Sequence, residues 1–476
     1  MRPNPLYMPI RKLGEHIRYG AISPVELTEL FLKRLETLGP ELNAVVTVTR
    51  ERALSLAKKA EKEIKAGQYK GPLHGIPYGV KDLLATKGIA TTWGAAPFKN
   101  QIFNYDATVI KKLDRAGAIL CAKLAMIELA GGMGYRQPSA SFTGPPKNPW
   151  NPRTWAGGSS SGSGAAVSAG LVPFSIGSET WGSILSPANN CGVTGLRPTY
   201  GRVSRHGSMA LCWTLDKLGP LCLTADDCGL VLEAIAGFDP HDLTTIDEDW
   251  KYKPKMKKRF RLAVPKGVVD GAEEDVRNCF EKALNILRKL SIIEEFEFPE
   301  LPYEAMTRTI LNAEAASAFD DFTESGEASK LTAPEDRYGL YARTIVFAKD
   351  YLKALRLRRV VARVVDGAME PFDAVVAPSS KRAATPIDQE FLKVAWWNRV
   401  KDPMGAIGNA AGLPSISVPC GFTNDGLPVG IQFMGRAYDE NVIIAIATAF
   451  QSLTDWHTRH PNMQGILNSS SPLSQD

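Results

Sequence analysis

Between Gly157 and Ser168 the chain reads Gly-Gly-Ser-Ser-Ser-Gly-Ser-Gly-Ala-Ala-Val-Ser. A Gly/Ser run of this kind is the usual composition of a flexible linker. Here it passes at once into Ala169-Gly170-Leu171-Val172-Pro173-Phe174-Ser175-Ile176, a segment that must be buried. The fold therefore has to bury a small-residue helix and a short apolar strand side by side. Two glycine-flanked serines, Ser159 and Ser183, bracket this unit. An isolated lysine stands upstream in Gly75-Ile76-Pro77-Tyr78-Gly79-Val80-Lys81-Asp82.

Composition supports a large core. The chain has 476 residues, 44% hydrophobic and 22% charged, which is ordinary globular usage. A net charge of +5 over that length is a weak excess, with no basic stripe interleaved with aromatics, so nucleic acid is not implied. The basic run from Lys253 to Arg261 reads as a solvated lead-in to a strand at Leu262-Ala263-Val264. The seven cysteines are odd in number and lack Cys-x-x-Cys spacing, which suggests free buried thiols in a reducing compartment. The first ten residues have no apolar signal core, and no run of about 18 apolar residues is present. These features predict a cytoplasmic protein that does not engage a membrane. The six histidines are scattered, without the spacing of a metal site.

Alternation of helix, strand and small-residue loop predicts an α/β fold. Ser23-Pro24-Val25-Glu26 combines a serine cap, a first-turn proline and a glutamate three residues on. A second helix is expected over 50–66, ended by Gly67. A strand is expected at 172–176. Two more, at 415–419 and 429–433, flank a turn at Asn424-Asp425-Gly426, and a helix is expected over 439–450. Residues 253–369 read as mostly amphipathic helix, an insertion or cap over the core. Residues 468–476 read as a frayed, disordered tail.

A serine hydroxyl needs a base to take its proton and donors to hold the oxyanion that forms. Lysine serves as that base only when neutral, and burial depresses its pKa. Ile76, Val80, Leu83 and Leu84 supply apolar surroundings for Lys81. Asp82 would oppose the shift, but neighbouring side chains on a strand point to opposite faces. The loop Thr180-Trp181-Gly182-Ser183 offers successive backbone N–H groups that can converge on one oxyanion.

With these residues in place, the chain resembles the amidase signature family. The resemblance covers 71–82, 157–168, 177–187 and 191–204, the N-terminal helix pair, and 412–430. It implies one domain over 1–467, with a central mixed β-sheet flanked by helices on both sides. It also implies a Ser–cis-Ser–Lys triad: Ser183 as nucleophile, Ser159 as the bridging serine after a cis peptide bond, and Lys81 as general base. The activity implied is amide hydrolysis through an acyl-enzyme, with no cofactor, on a small-molecule amide, in a homodimer. Members often carry Asp-Thr-Gly-Gly-Ser-Ile-Arg where this chain has Glu179-Thr180-Trp181-Gly182-Ser183-Ile184-Leu185. The tryptophan adds a bulky wall, and Leu185 removes a charged support for the loop. Both changes favour an apolar or aromatic substrate such as an anilide, aryl amide, carbamate or short ester. Met133 lies where the family lines its pocket, and Tyr135 and Trp181 supply aromatic walls.

Two other readings compete. Gly158-Ser159-Ser160-Ser161-Gly162 fits Gly-x-Ser-x-Gly with Ser160 central, which would call on His457 or His460. The stretches 201–207 and 215–220 are similar to the glutamine-hydrolysing component of a tRNA-dependent amidotransferase, which would release ammonia from glutamine for a partner.

Overall fold

The computed structural model describes residues 5–463 and 465, apart from 248–249, 255, 258, 340, 342–344, 392 and 394–402. Ser23 starts a helix over Pro24–Thr37, its Oγ accepting the Val25 and Glu26 N–H groups at 3.1 and 3.2 Å. The next helix, Arg50–Lys65, stops at a left-handed Gly67. Alternating strands and helices follow. In chain order the strands of the main sheet are β1 (Val45–Val48), β2 (Pro77–Lys81), β3 (Ile119–Leu124), β4 (Phe174–Glu179), β5 (Thr194–Arg197) and β6 (Lys217–Cys222). They continue as β7 (Phe260–Pro265), β8 (Ser291–Phe296), β9 (Ala374–Pro378), β10 (Ser415–Phe422) and β11 (Pro428–Met434).

Among the described residues these eleven strands lie in the order β1-β3-β2-β4-β6-β5-β10-β11-β9-β7-β8. The sheet is mixed. β3, β2 and β4 run parallel to one another, as do β9, β7 and β8, while β4 and β6 pair antiparallel. Helices flank it. Side chains alternate between two apolar clusters, as a pleated strand requires. Tyr78, Val80, Leu120, Phe174 and Ile176 belong to one, and Ile119, Cys121 and Leu221 to the other. All seven cysteines are buried and unpaired. No described helix is long and apolar enough to cross a membrane.

The strand expected at 172–176 forms two residues later, as β4, because Pro173 cannot donate to a ladder. The larger difference lies in the middle segment. The strand expected at 262–264 forms as β7, but the segment expected as helical cover continues with a helix over Glu274–Leu287 and then β8, and the two strands add a parallel edge to the sheet. The misreading has a simple source. β8 is an edge strand, and its Glu294 and Glu295 imitate the charged face of a helix. The later part carries the expected helices, at Tyr303–Ala318, Asp320–Glu324, Asp336–Gly339 and Ala348–Met369. The tail from 468 lies outside the described residues.

The small-residue segment forms a fully buried helix, Ser161–Ser168, with Ala165, Ala166 and Val167 in the second core. Its residues are small because backbone runs directly against it. A Cβ on Gly162 would lie 2.4 Å from the Ala44 carbonyl oxygen and 2.5 Å from the Ala125 nitrogen. Backbone cannot yield as a flexible side chain does. Gly162→Ala is therefore expected to destabilise the fold by about 1–3 kcal/mol, read as a lower thermal unfolding midpoint.

Candidate active site

Parallel neighbours β2 and β4 end at the same edge of the sheet, and open α/β sheets place their ligand sites at such edges. Lys81 is the last residue of β2; Ser178 and Glu179 end β4. The turn into the buried helix brings Ser159 to the same point, and the Gly158–Ser159 peptide bond is cis. The Lys81 amine donates to Ser159 Oγ at 2.7 Å and to Ser178 Oγ at 2.9 Å. It is fully buried, with Ile76, Val80, Leu83 and Leu84 also in the core.

Burial lowers the Lys81 pKa to about 7, against the opposing charges of Asp216 and Glu179. Asp82, next in sequence, does not reverse this. Its carboxylate faces elsewhere, accepting the Thr92 N–H at 2.9 Å and pairing with Lys123 at 2.9 Å. The amine that results has hydroxyl partners and a substantial neutral fraction near neutrality, which suits a base.

The Ser183 carbonyl accepts the Ser160 N–H at 3.3 Å, which brings the 180–183 loop beside the turn that carries Ser159. Thr180 and Ser183 are buried, and Trp181 and Gly182 are half-buried. Among the described residues, none accepts a hydrogen bond from the N–H groups of Trp181, Gly182 or Ser183. Gly182 is left-handed, with φ 86°, and a Cβ there would meet nothing within 4 Å. The loop thus presents donors to open space, as an anion-holding nest does.

Two buried carboxylates brace the loop. Thr180 Oγ1 donates to Asp216 at 2.5 Å, and Asp216 accepts the Leu211 and Cys212 N–H groups at 2.8 and 3.0 Å. Glu179 accepts the N–H groups of Ile184 and Leu185 at 2.9 and 3.1 Å and pairs with Arg197 at 2.8 Å. Burial opposes the Glu179 charge, but Arg197 outweighs it, leaving the carboxyl below its ordinary value. Leu185 does not leave the loop without a cation: β5 brings Arg197 to the carboxylate that holds it.

The expected pocket residues separate on inspection. Met133 is fully buried in the core. Trp181 lies under the Arg308 guanidinium, 5.6 Å from its ring centre, so the helix over Tyr303–Ala318 reaches the 180–183 loop. Tyr135 packs edge-on against Trp155 and Phe391, and a Cβ on Gly158 would meet its hydroxyl at 2.7 Å. It thus stands beside the turn that carries Ser159. Ser160, central in the competing motif, exchanges hydrogen bonds with the Ser178 backbone at 3.0 and 3.2 Å. His460 stacks on Tyr7, which packs at Gly170, beyond the far end of the buried helix, about 12 Å away at 1.5 Å per residue. Ser160 and His460 are therefore not brought together. Ser178, Asp216 and Arg197 were not singled out from sequence. All three lie inside stretches already noted, but nothing local to Arg197 pointed to Glu179 as its partner.

Comparison with known proteins agrees with this architecture. The Amidase family model matches residues 26–444. The A subunit of the glutamyl-tRNA(Gln) amidotransferase of Thioalkalivibrio sulfidiphilus is 36% identical, over 95% of this chain and 98% of that protein. The native peptide amidase of Stenotrophomonas maltophilia superposes with a TM-score of 0.85 at 29% identity, covering 96% of this chain and 98% of that one. The corresponding glutamyl-tRNA(Gln) amidotransferase polypeptide of Thermotoga maritima superposes with a TM-score of 0.76 at 30% identity, covering 95% of this chain and 96% of that one.

Three outcomes are expected. A serine-directed fluorophosphonate labels Ser183 at a rate that rises with pH through about 7, as the Lys81 amine loses its proton. Lys81→Ala slows that labelling by about 10²–10⁴-fold, the usual worth of a general base. Arg197→Met leaves the Glu179 charge buried and unpaired, and costs about 3–5 kcal/mol in an unfolding experiment.

Proposed function

The chain belongs to the Amidase family, and we propose that it hydrolyses carbon–nitrogen amide bonds through an acyl-enzyme on Ser183. The observation that carries this reading is the buried Lys81 amine on Ser159 Oγ at 2.7 Å, one turn from a loop of unengaged N–H groups. Neutral Lys81 takes the Ser159 proton while Ser159 takes that of Ser183. The Ser183 oxygen attacks the amide carbonyl. The N–H groups of Trp181, Gly182 and Ser183 hold the oxyanion. The proton then returns along the same relay to the leaving nitrogen, and the carbon–nitrogen bond breaks. Water repeats the sequence on the ester to release the acid.

Two observations bear on the substrate. Similarity to the glutamyl-tRNA(Gln) amidotransferase relatives along nearly the whole chain supports glutamine as the amide, with ammonia handed to a partner protein. That reading has the broader support from relatives. The half-buried Trp181 beneath Arg308 supports an apolar or aromatic amide, because it narrows the space beside the oxyanion loop.

The test is a substrate panel: glutamine, aliphatic amides, a peptide amide, anilides, a carbamate and a p-nitrophenyl ester. Wild type runs beside Ser183→Ala, Lys81→Ala and a His457/His460 double alanine. Hydrolysis lost in the first two and retained in the third is expected. Turnover that survives Ser183→Ala refutes the acyl-enzyme. Preference for glutamine selects the amidotransferase reading, and preference for anilides or carbamates selects the apolar pocket.

A further inference from the structure

Glu128 and Asp336 are both fully buried, more than 200 residues apart in sequence, and close enough that each carboxyl acts on the other. Glu128 belongs to the turn Glu128–Gly131, which leads into Gly131–Tyr135. Asp336 starts the short helix Asp336–Gly339 of the middle segment. Glu128 accepts the Thr332 and Ala333 N–H groups at 2.9 and 3.0 Å. Asp336 Oδ1 accepts the Tyr135 N–H at 3.1 Å, while its buried Oδ2 meets no N–H or hydroxyl donor among the described residues. Two carboxylates without a proton between them repel; with one proton they make a strong, charge-assisted bond.

We infer that Glu128 and Asp336 share one proton as a buried latch, and that this latch holds the Gly131–Tyr135 loop to the middle segment and so positions the turn that carries Ser159. The proton sits on Asp336. Glu128 receives two backbone N–H groups, which favour its charged form, and Asp336 receives one. Burial, then the Glu128 charge, pushes the Asp336 carboxyl up to about 8. The other charged groups nearby are accounted for. Glu335 adds repulsion but is engaged by the Gln137 amide at 2.7 Å, and Arg337 donates to the Leu331 carbonyl at 2.8 Å. Burial moves the Tyr135 phenol well above its ordinary value, and it stays neutral. No change in an adjacent cation is required.

The loop's link to the chemistry is direct. One residue before the latch, the Ile127 N–H donates to the Ser159 carbonyl at 3.2 Å. Beyond it, Gly134 has Asp336 so close that a Cβ would fall 2.2 Å from Oδ1, and Tyr135 stands against Gly158. Glu128 and Asp336 are therefore positioning residues: they touch the loop, not the reacting atoms. The sign follows from the raised Asp336 pKa. The latch holds while the pair keeps one proton, between the titration of Glu128 and that of Asp336. It weakens as pH rises, and its advantage is spent once pH passes about 8.

The kinetic arm rests on the amide-hydrolysis reading; a second arm does not. In wild type, kcat/KM is expected to fall about tenfold per pH unit above the titration of the pair, as loss of one proton dictates. The rise in KM should exceed the fall in kcat. Asp336→Asn supplies a permanent amide donor to Glu128 and keeps an oxygen for the Tyr135 N–H, so that alkaline limb disappears. Hydrogen exchange at pH 7 and pH 9 reads the Tyr135, Thr332 and Ala333 amides. Wild type loses protection at pH 9 beyond the intrinsic pH dependence, and Asp336→Asn does not. An alkaline limb unchanged in Asp336→Asn, or wild-type protection unchanged between the two pH values, overturns the latch. If no substrate on the panel is turned over, the exchange arm alone decides.

Discussion

A lysine amine removed from water, with only hydroxyls to bond and no carboxylate to pair with among the described residues, is the constraint around which the site is arranged. Lys81 sits at the end of β2, where apolar side chains enclose it and Ser159 and Ser178 take its hydrogen bonds. A carboxylate in contact would hold the amine charged and useless as a base. The nearest one in sequence, Asp82, is engaged by Thr92 and Lys123. The pattern of ion pairs around the site follows from keeping one amine unpaired.

The acidic groups nearby do a different job: they fix backbone. Glu179 and Asp216 each accept two loop N–H groups, and Glu128 and Asp336 accept three between them. Irregular backbone buried beside a sheet has no ladder to satisfy it, and carboxylates fill that need at short range. Glu179 balances its charge with Arg197 from another strand, and Asp336 is read as balancing by keeping a proton. The loops that carry Ser159 and Ser183 are thus anchored to distant parts of the chain. The middle segment takes part through Asp336 and through Arg308 over Trp181.

Much of this was legible before the fold was seen. The Ser23 cap, the helix ended by Gly67, the β10–β11 hairpin around Gly426 and the helix over Glu440–Ser452 each had a local signal. The meeting of Lys81 with Ser159 was legible from the resemblance. What was missed shares one property: its signal lies in pairing between segments far apart. β8 read as helix because an edge strand carries charges. Arg197 as partner of Glu179 and Asp336 as partner of Glu128 have no local pattern at all.

By itself the sequence determined the residue types at the site and the periodicities of the segments that carry them. Small residues at 157–168 required close packing, and the apolar residues around Lys81 required its burial. These are local demands, set by side-chain size and water. Tertiary structure alone decided which charge meets which, how far the Lys81 amine is depressed, and that the middle segment reaches both the 180–183 loop and the turn beside Ser159. Those properties depend on distances between groups remote in the chain and on the water excluded between them, and neither exists until the sheet has closed over the buried helix.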